Sequence, residues 1–175
     1  VSGRQVAVVG ASGGDVCAAM DDLRASWGAT EPSAQEKRTF QELAQRFQNA
    51  KQDPTLVDKA DVGTMLGALS GYKAKVEERS AATQRWQAPS EAARVKSLGN
   101  AFLGHYLELM DTMEDVTDKM EKGESMPREE IEALEERIKG MEAVIHSEGR
   151  AFDAEVSRVR RVHGCGPATL GKPAS

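Results

Sequence analysis

The sequence has few aromatic side chains, which make up 5% of its 175 residues. A hydrophobic core must therefore be built mainly from Leu, Val, Ile, Met and Ala. Strands are enriched in β-branched and aromatic residues, whereas Leu, Met and Ala have high helix propensities. The composition favours an α-helical fold, and the length suits one domain.

The chain also lacks long apolar runs and an excess of basic residues. No apolar stretch approaches the roughly 20 residues that cross a bilayer as a helix, and the first residues show no signal-peptide pattern. The formal net charge is −5, whereas nucleic-acid binding needs basic surface to neutralise phosphates. We therefore expect no membrane span and no nucleic-acid partner.

Cysteine is scarce, since Cys17 and Cys165 are the two in the sequence. Their spacing is that of neither a metal site nor a redox dithiol motif. Two unpaired thiols are the simpler interpretation, and they favour a cytoplasmic protein. The alternative is a disulfide that joins the two ends of the chain, which would require an oxidising compartment and therefore export.

Apolar residues recur at the three- and four-residue spacing of helices. Asp15 is placed to cap a short first helix, and Gly28 to end it. Ser33 and Glu36 form a capping-box pattern that predicts a helix over residues 34–52, and a third helix is predicted over residues 56–87. The apolar stripes of these helices are Val16, Met20, Leu23 and Trp27; Phe40, Leu43, Ala44 and Phe47; and Val62, Met65, Leu69, Tyr72 and Val76.

The two longest stripes lie in the C-terminal half of the chain. One helix is predicted from about Glu91 to Lys122, ended by Gly123, and another begins after Pro127, which suits a first helical turn. A short turn between long helices predicts an antiparallel hairpin, with arms of about 45–55 Å. The stripes are Val95, Leu98, Phe102, Tyr106, Leu109, Met113, Val116 and Met120; and Ile131, Leu134, Ile138, Met141, Ile145, Phe152, Val156 and Val159.

Together the helices predict an all-α fold, an antiparallel helical bundle of about four main helices with a long C-terminal helical hairpin. The helices over 34–52 and 56–87 are expected to cover the apolar stripes of the hairpin, and the short N-terminal helix is expected to cap one end of the bundle. We divide the chain into a glycine-rich N-terminal arm and short helix over residues 1–30, a helical bundle over 31–163, and a flexible tail over 164–175.

No group of residues predicts catalysis. The segment from Arg4 to Gly14 reads as a short strand and a glycine-rich turn, which is how a dinucleotide-binding domain begins. However, Val16 occupies the third glycine position, and no further strand–helix units follow. Neither cysteine has a base nearby in sequence, and no serine has the strand–turn–helix context of a nucleophile. We expect no catalytic residues and no cofactor, and favour a non-enzymatic protein.

Binding of a metal or small molecule between helices is the alternative class of function. Di-iron bundles use Glu-x-x-His on two helices, and neither His105 nor His146 has a glutamate three residues before it. His105 with Glu108, and Glu142 with His146, are spaced for surface hydrogen bonds. No metal ligands are predicted, and His105 with Tyr106 gives the one hint of a bound small molecule.

Gly63, Gly67 and Gly71 recur every four residues along one predicted helix. Glycine costs roughly 1 kcal/mol relative to alanine inside a helix, so the row needs a reason. Small residues let a second helix approach closely, either within this chain or in another copy. A break in the helix near Gly63 is a further interpretation.

Acidic residues are concentrated in the hairpin. From His105 to Glu142 there are 13 acidic and 5 basic residues, a balance of −8. The negative charge is densest at the turn, at Glu121, Glu124, Glu129 and Glu130. This is either a solvated surface or a docking patch for a basic protein, because complementary charge raises association rates.

The sequence therefore favours a non-enzymatic protein that acts through protein–protein contacts, as an adaptor, regulator or structural component. Its partner is expected to be another protein or a second copy of the chain. A ligand-binding or sensory bundle is the alternative.

Overall fold

The computed structural model describes residues 13–50 and 59–166. Helices account for 88% of these residues, and no strand occurs among them, which confirms the all-α prediction. The helices are α1 (Gly13–Ala29), α2 (Ala34–Ala50), α3 (Lys59–Arg85), α4 (Ala93–Lys122) and α5 (Arg128–Val162), with a 3₁₀ turn at Ser90–Ala92. In these two segments, no helix is apolar over enough residues to cross a membrane.

Three predictions fall on parts of the chain outside this description. They are the strand and glycine turn before Gly13, the apolar stripe of Phe40, Leu43, Ala44 and Phe47, whose side chains are not described, and the tail beyond Gly166.

Two of the predicted helix ends are formed as expected. At the start of α2, the Ser33 N–H donates to Glu36 Oε2 over 2.7 Å, and the Glu36 N–H donates to Ser33 Oγ over 3.1 Å. Gly123 ends α4 with φ 70°, a left-handed conformation that glycine adopts without strain. The prediction that Asp15 caps α1 is wrong, because α1 begins at Gly13 and Asp15 therefore lies in its first turn. There its carboxylate still favours the positive end of the helix dipole.

Helix α4 is the centre of the bundle, with α3 packed on one side and α5 on the other. Leu103 and Met110 of α4 are buried in one cluster with Met65 and Leu69 of α3. Residues 103 and 110 are not part of the predicted α4 stripe. A helix packed on two sides needs two apolar rows, and the sequence pattern identified one of them.

Helices α1 and α2 occupy different places from those expected. In the described part of the chain, α2 packs against α3, whereas α1 contacts both α3 and α5. The buried residues Val16, Met20 and Leu23 of α1 form a core cluster with Val95 of α4 and Phe152 of α5. The first helix therefore lies within the bundle core at one end and does not simply cap it.

The indole of Trp27 fixes the C-terminal end of α1. Its ring stacks on Phe152, with centroids 4.5 Å apart, and its Nε1 donates to Thr83 Oγ1 over 2.9 Å. The guanidinium of Arg79 lies 5.1 Å from the ring centroid and donates to the carbonyl of Trp27 over 3.0 Å. Helix α1 has no basic residue in its own last turn, so Arg79 from α3 supplies the positive charge that a helix C-terminus favours.

Cys17 and Cys165 form a disulfide, with their Cα atoms 5.3 Å apart. The expectation of two unpaired thiols is therefore wrong. The cysteines are 148 residues apart in sequence, and they meet because the first turns of α1 lie beside the C-terminal end of α5. That contact is tertiary, and no local pattern in the sequence shows it.

The disulfide should contribute a large part of the stability. We expect Cys17→Ser to lower the free energy of unfolding by about 2–5 kcal/mol, because the bond closes a very long loop and restricts the unfolded chain. Thermal unfolding followed by circular dichroism, with and without reductant, measures this. The control is the double variant Cys17→Ser/Cys165→Ser, which should not respond to reductant. An equal Tm for the oxidised and reduced wild-type protein would contradict the expectation.

Gly99 and Gly104 of α4 should respond oppositely to alanine. A Cβ at Gly99 would lie 3.1 Å from Phe152 Cε2 and 3.3 Å from Thr83 Cγ2, whereas one at Gly104 meets no described atom within 4 Å. Phe152 is held by Trp27, so we expect Gly99→Ala to destabilise the protein by about 1–2 kcal/mol. Gly104→Ala should stabilise it by about 0.5–1 kcal/mol through helix propensity. Chemical denaturation of both variants tests the pair, and a stabilising Gly99→Ala would refute the close contact.

Candidate interaction surface

The N-terminal half of α5 has less cover than the C-terminal half. The helices that pack against α5 in the described residues are α4 and α1, and α1 reaches it around Phe152 and Val159. Toward the hairpin turn, Ile131 is 39% exposed and Val144 43% exposed. Ile145 and Phe152, by contrast, are each 7% exposed. In the apolar stripe of α5, Ile145, Phe152 and Val159 are therefore buried, whereas Ile131 beside the hairpin turn is open to solvent.

We call residues 105–142, the tip half of the α4–α5 hairpin, the acidic arm. Each of its basic residues already pairs with a carboxylate of the same arm. These pairs are Lys119–Glu130, Lys122–Asp118, Arg128–Glu132, Arg137–Glu108 and Lys139–Glu136. Lys73 of α3 pairs with two more carboxylates, Asp111 and Glu114.

Several carboxylates of the acidic arm are not part of an ion pair in the described residues. Within the described ranges, no ion pair involves Asp115, Glu121, Glu124, Glu129 or Glu142. Three of the four glutamates predicted for docking belong to this group, and the fourth, Glu130, accepts a 2.9 Å hydrogen bond from Lys119. All four are exposed. The negative charge that the sequence indicated is therefore not neutralised within the arm.

The pKa values of the arm's lysines also indicate a negative environment. The hydrogen bond that Lys119 donates to Glu130, followed by the charges of Glu130, Glu124 and Asp115, raises the pKa of Lys119. The hydrogen bond that Lys122 donates to Asp118 likewise raises the pKa of Lys122. Both lysines are thus held firmly in the charged form by surrounding carboxylates.

A trough of about 550 Å³ runs between α4 and α5 within the acidic arm. We call it the outer trough. Among the residues lining it, Thr112 is buried, and Val116 and Leu134 are partly buried. The exposed lining residues are mainly acidic or small, and they include Glu108, Asp111, Asp115, Glu130 and Ala133.

A second trough, of about 570 Å³, lies between α4 and α5 near the end of α1. Phe102, Tyr106 and Ile145 line it together with His146. The hydroxyl of Tyr106 donates to that of Tyr72 over 3.2 Å, and burial raises the pKa of Tyr106. This phenol therefore stays neutral, and its hydrogen bond to another tyrosine explains it without a ligand.

His105 pairs with a glutamate of α5. His105 Nδ1 lies 2.8 Å from Glu148 Oε2 at the surface between α4 and α5. The partner suggested by sequence spacing, Glu108, instead pairs with Arg137. No group of His, Cys, Asp and Glu in the described residues is arranged to hold a metal ion.

The glycine row of α3 faces a third trough. Gly67 and Gly71 line a space of about 380 Å³ between α2 and α3, and no described atom lies within 4 Å of a Cβ built on either. A Cβ at Gly63 would lie 3.6 Å from Glu121 Oε1. Helix α3 is continuous through all three glycines, so the interpretation of a broken helix is not supported. The described atoms do not require small residues here.

Comparisons with known proteins find no relative of this chain: no protein-family model, no curated protein and no solved structure matches it. Any function must therefore be argued from the chemistry of the chain's own residues.

The outer trough is the feature that the sequence analysis did not predict. One sequence pattern could have indicated the trough. The three- and four-residue spacing of four polar residues in α4 places them along one helix face beside the apolar stripe. They are Glu108, Thr112, Asp115 and Lys119.

Glu36 provides a test of how α2 is held against α3. Its carboxylate accepts hydrogen bonds from Lys75 Nζ over 2.6 and 2.8 Å. Lys75, followed by Ser33, lowers the pKa of Glu36 from 4.5 to about 2. Because the folded-state pKa lies below the unfolded value, the stabilisation is complete above pH 4.5 and is lost as the pH falls toward 2.

We expect the side-chain carboxyl of Glu36 to titrate well below its ordinary pKa of 4.5 when followed by NMR. In Lys75→Ala its midpoint should move back toward 4.5, because the main cause of the shift is removed. An unchanged midpoint in that variant would show that Lys75 does not hold α2 in solution.

Proposed function

We propose that this protein is a non-enzymatic contact protein and that its acidic arm is the surface that binds a protein partner. One observation carries the proposal: Ile131 of α5 is 39% exposed in an arm where Glu121, Glu124 and Glu129 are exposed and form no ion pair among the described residues. Protein interfaces combine an apolar centre with a polar rim in this way. Complementary charge on the partner would speed encounter and select against acidic proteins.

The geometry of the hairpin supports this role. One of the two core clusters, the disulfide and the Trp27 contacts lie toward the opposite end from the turn. Helix α5 has 35 residues, which corresponds to about 52 Å. A partner could therefore bind the exposed face of the arm without contacting the disulfide or Trp27.

Charge also favours a different protein over a second copy of the chain. Two acidic arms that met face to face would bring like charges together, which is destabilising. We therefore propose a partner that presents lysine or arginine beside apolar residues. The disulfide is consistent with a partner in an oxidising compartment, where such bonds persist.

Site-specific photo-crosslinking tests the proposal with a matched pair of positions. Val144 and Val162 are exposed valines of α5, 43% and 64% accessible, and the first lies near the arm and the second at the other end. With a photoreactive residue at each position in turn, we expect one defined protein from source-cell extract to crosslink through position 144 and not through position 162. Mass spectrometry identifies it.

A charge-reversal variant completes the experiment. Glu124 and Glu129 form no ion pair in the described chain, so Glu124→Lys/Glu129→Lys breaks no salt bridge of the fold. Circular dichroism should therefore show the same helix content. The crosslink from position 144 should become at least about tenfold weaker, because the arm loses half of its excess negative charge and gains two cations that repel a basic partner. Crosslinking that is equal from both positions, or insensitive to charge reversal, would count against the arm as a contact surface.

A further inference from the structure

We propose that the outer trough, between Glu108–Lys119 of α4 and Glu130–Arg137 of α5, binds a basic amphipathic helix of the partner. This inference rests on the function proposed above. It adds which structural element of the partner binds and where on the acidic arm it binds. The trough has the two components that a helix-binding groove needs, an apolar floor and a charged rim. The floor is made by the partly buried Val116 and Leu134.

The dimensions of the trough fit a short helix. The α4 side, from Glu108 to Lys119, extends about 16 Å at the helical rise, which is about three turns of a partner helix. On the α5 side, the exposed Ala133 has a short side chain and leaves room for a partner helix. An apolar residue in each turn of the partner could therefore reach Val116 and Leu134.

The charges of the trough specify a basic occupant. Asp115 faces the trough without an ion pair in the described chain, and exposed Glu108 and Glu130 are paired across it with Arg137 and Lys119. These two pairs are solvent-exposed, with side chains 42% to 58% accessible, so they are easily exchanged for cations of a partner. An acidic or neutral helix would gain no such contacts.

A synthetic helix provides a direct probe, independent of the identity of the partner. We would measure, by fluorescence anisotropy, the binding of a labelled peptide of Leu and Lys of about 15 residues, long enough to form a helix. The control peptide has Glu at every Lys position and the same leucines. We expect the Lys peptide to bind the oxidised full-length protein more weakly as salt is raised, because the rim charges are screened, and we expect the Glu peptide not to bind.

Two matched alanines of α5 locate the site. Ala133 lines the outer trough, whereas Ala143 does not, and both are exposed. Ala133→Arg places a large cation in the trough and should weaken binding of the Lys peptide at least about tenfold, through repulsion and lost space. Ala143→Arg adds the same charge to the same helix and should leave the affinity within about twofold, since a single surface charge acts mainly through contacts nearby.

Equal affinity of the two variants would overturn the assignment of the trough, as would absence of binding to the wild type or equal binding of the Glu peptide. Failure of this inference is distinguishable from failure of the proposed function. If a partner crosslinks through position 144 but Ala133→Arg does not weaken binding of the Lys peptide, the arm is still a contact surface. The outer trough is then not the site at which a basic helix binds. If peptide binding is lost in Ala133→Arg but extract yields no position-specific crosslink, the trough binds basic helices and the proposed function is wrong.

Discussion

The contacts of Trp27 join four helices of the bundle. Its ring stacks on Phe152 of α5 and lies 6.4 Å from Phe102 of α4, and its N–H and carbonyl bind Thr83 and Arg79 of α3. With aromatics so scarce, much of the large rigid surface available to the core is gathered at this point. The position of α1 between α3 and α5 depends on it, and so does the closeness of residues 17 and 165.

The uneven cover of the hairpin follows from the short length of α1. This helix has 17 residues, about 25 Å, so it fills the space beside α4 at one end and cannot reach the turn. Helix α2 continues past that point against α3. The stripe of α5 is consequently buried at Ile145, Phe152 and Val159 and more exposed before Ile145. The half of the hairpin that α1 does not cover is also the part in which the sequence is densely acidic.

Local features could be predicted from the sequence, and tertiary ones could not. The capping box at Ser33 and the left-handed Gly123 depend on a few neighbouring residues, and helical periodicity gave the hairpin and its acidic turn. The second apolar row of α4, with Leu103 and Met110, reflects a helix packed on two sides. The Cys17–Cys165 bond and the His105–Glu148 pair depend on which helices become neighbours. The outer trough was missed for the same reason, because it is formed jointly by α4 and α5.

The disulfide also changes the topology of the chain. Together with the backbone between them, Cys17 and Cys165 close a covalent ring that contains every described residue from 17 to 165. A protease that cuts once inside this ring, for instance at the exposed Glu124 or Ser125 of the hairpin turn, would produce no separate fragment. The nicked molecule would remain one covalent piece, heavier only by the water added at the cut bond. Two polypeptides would appear once a reductant opened the ring.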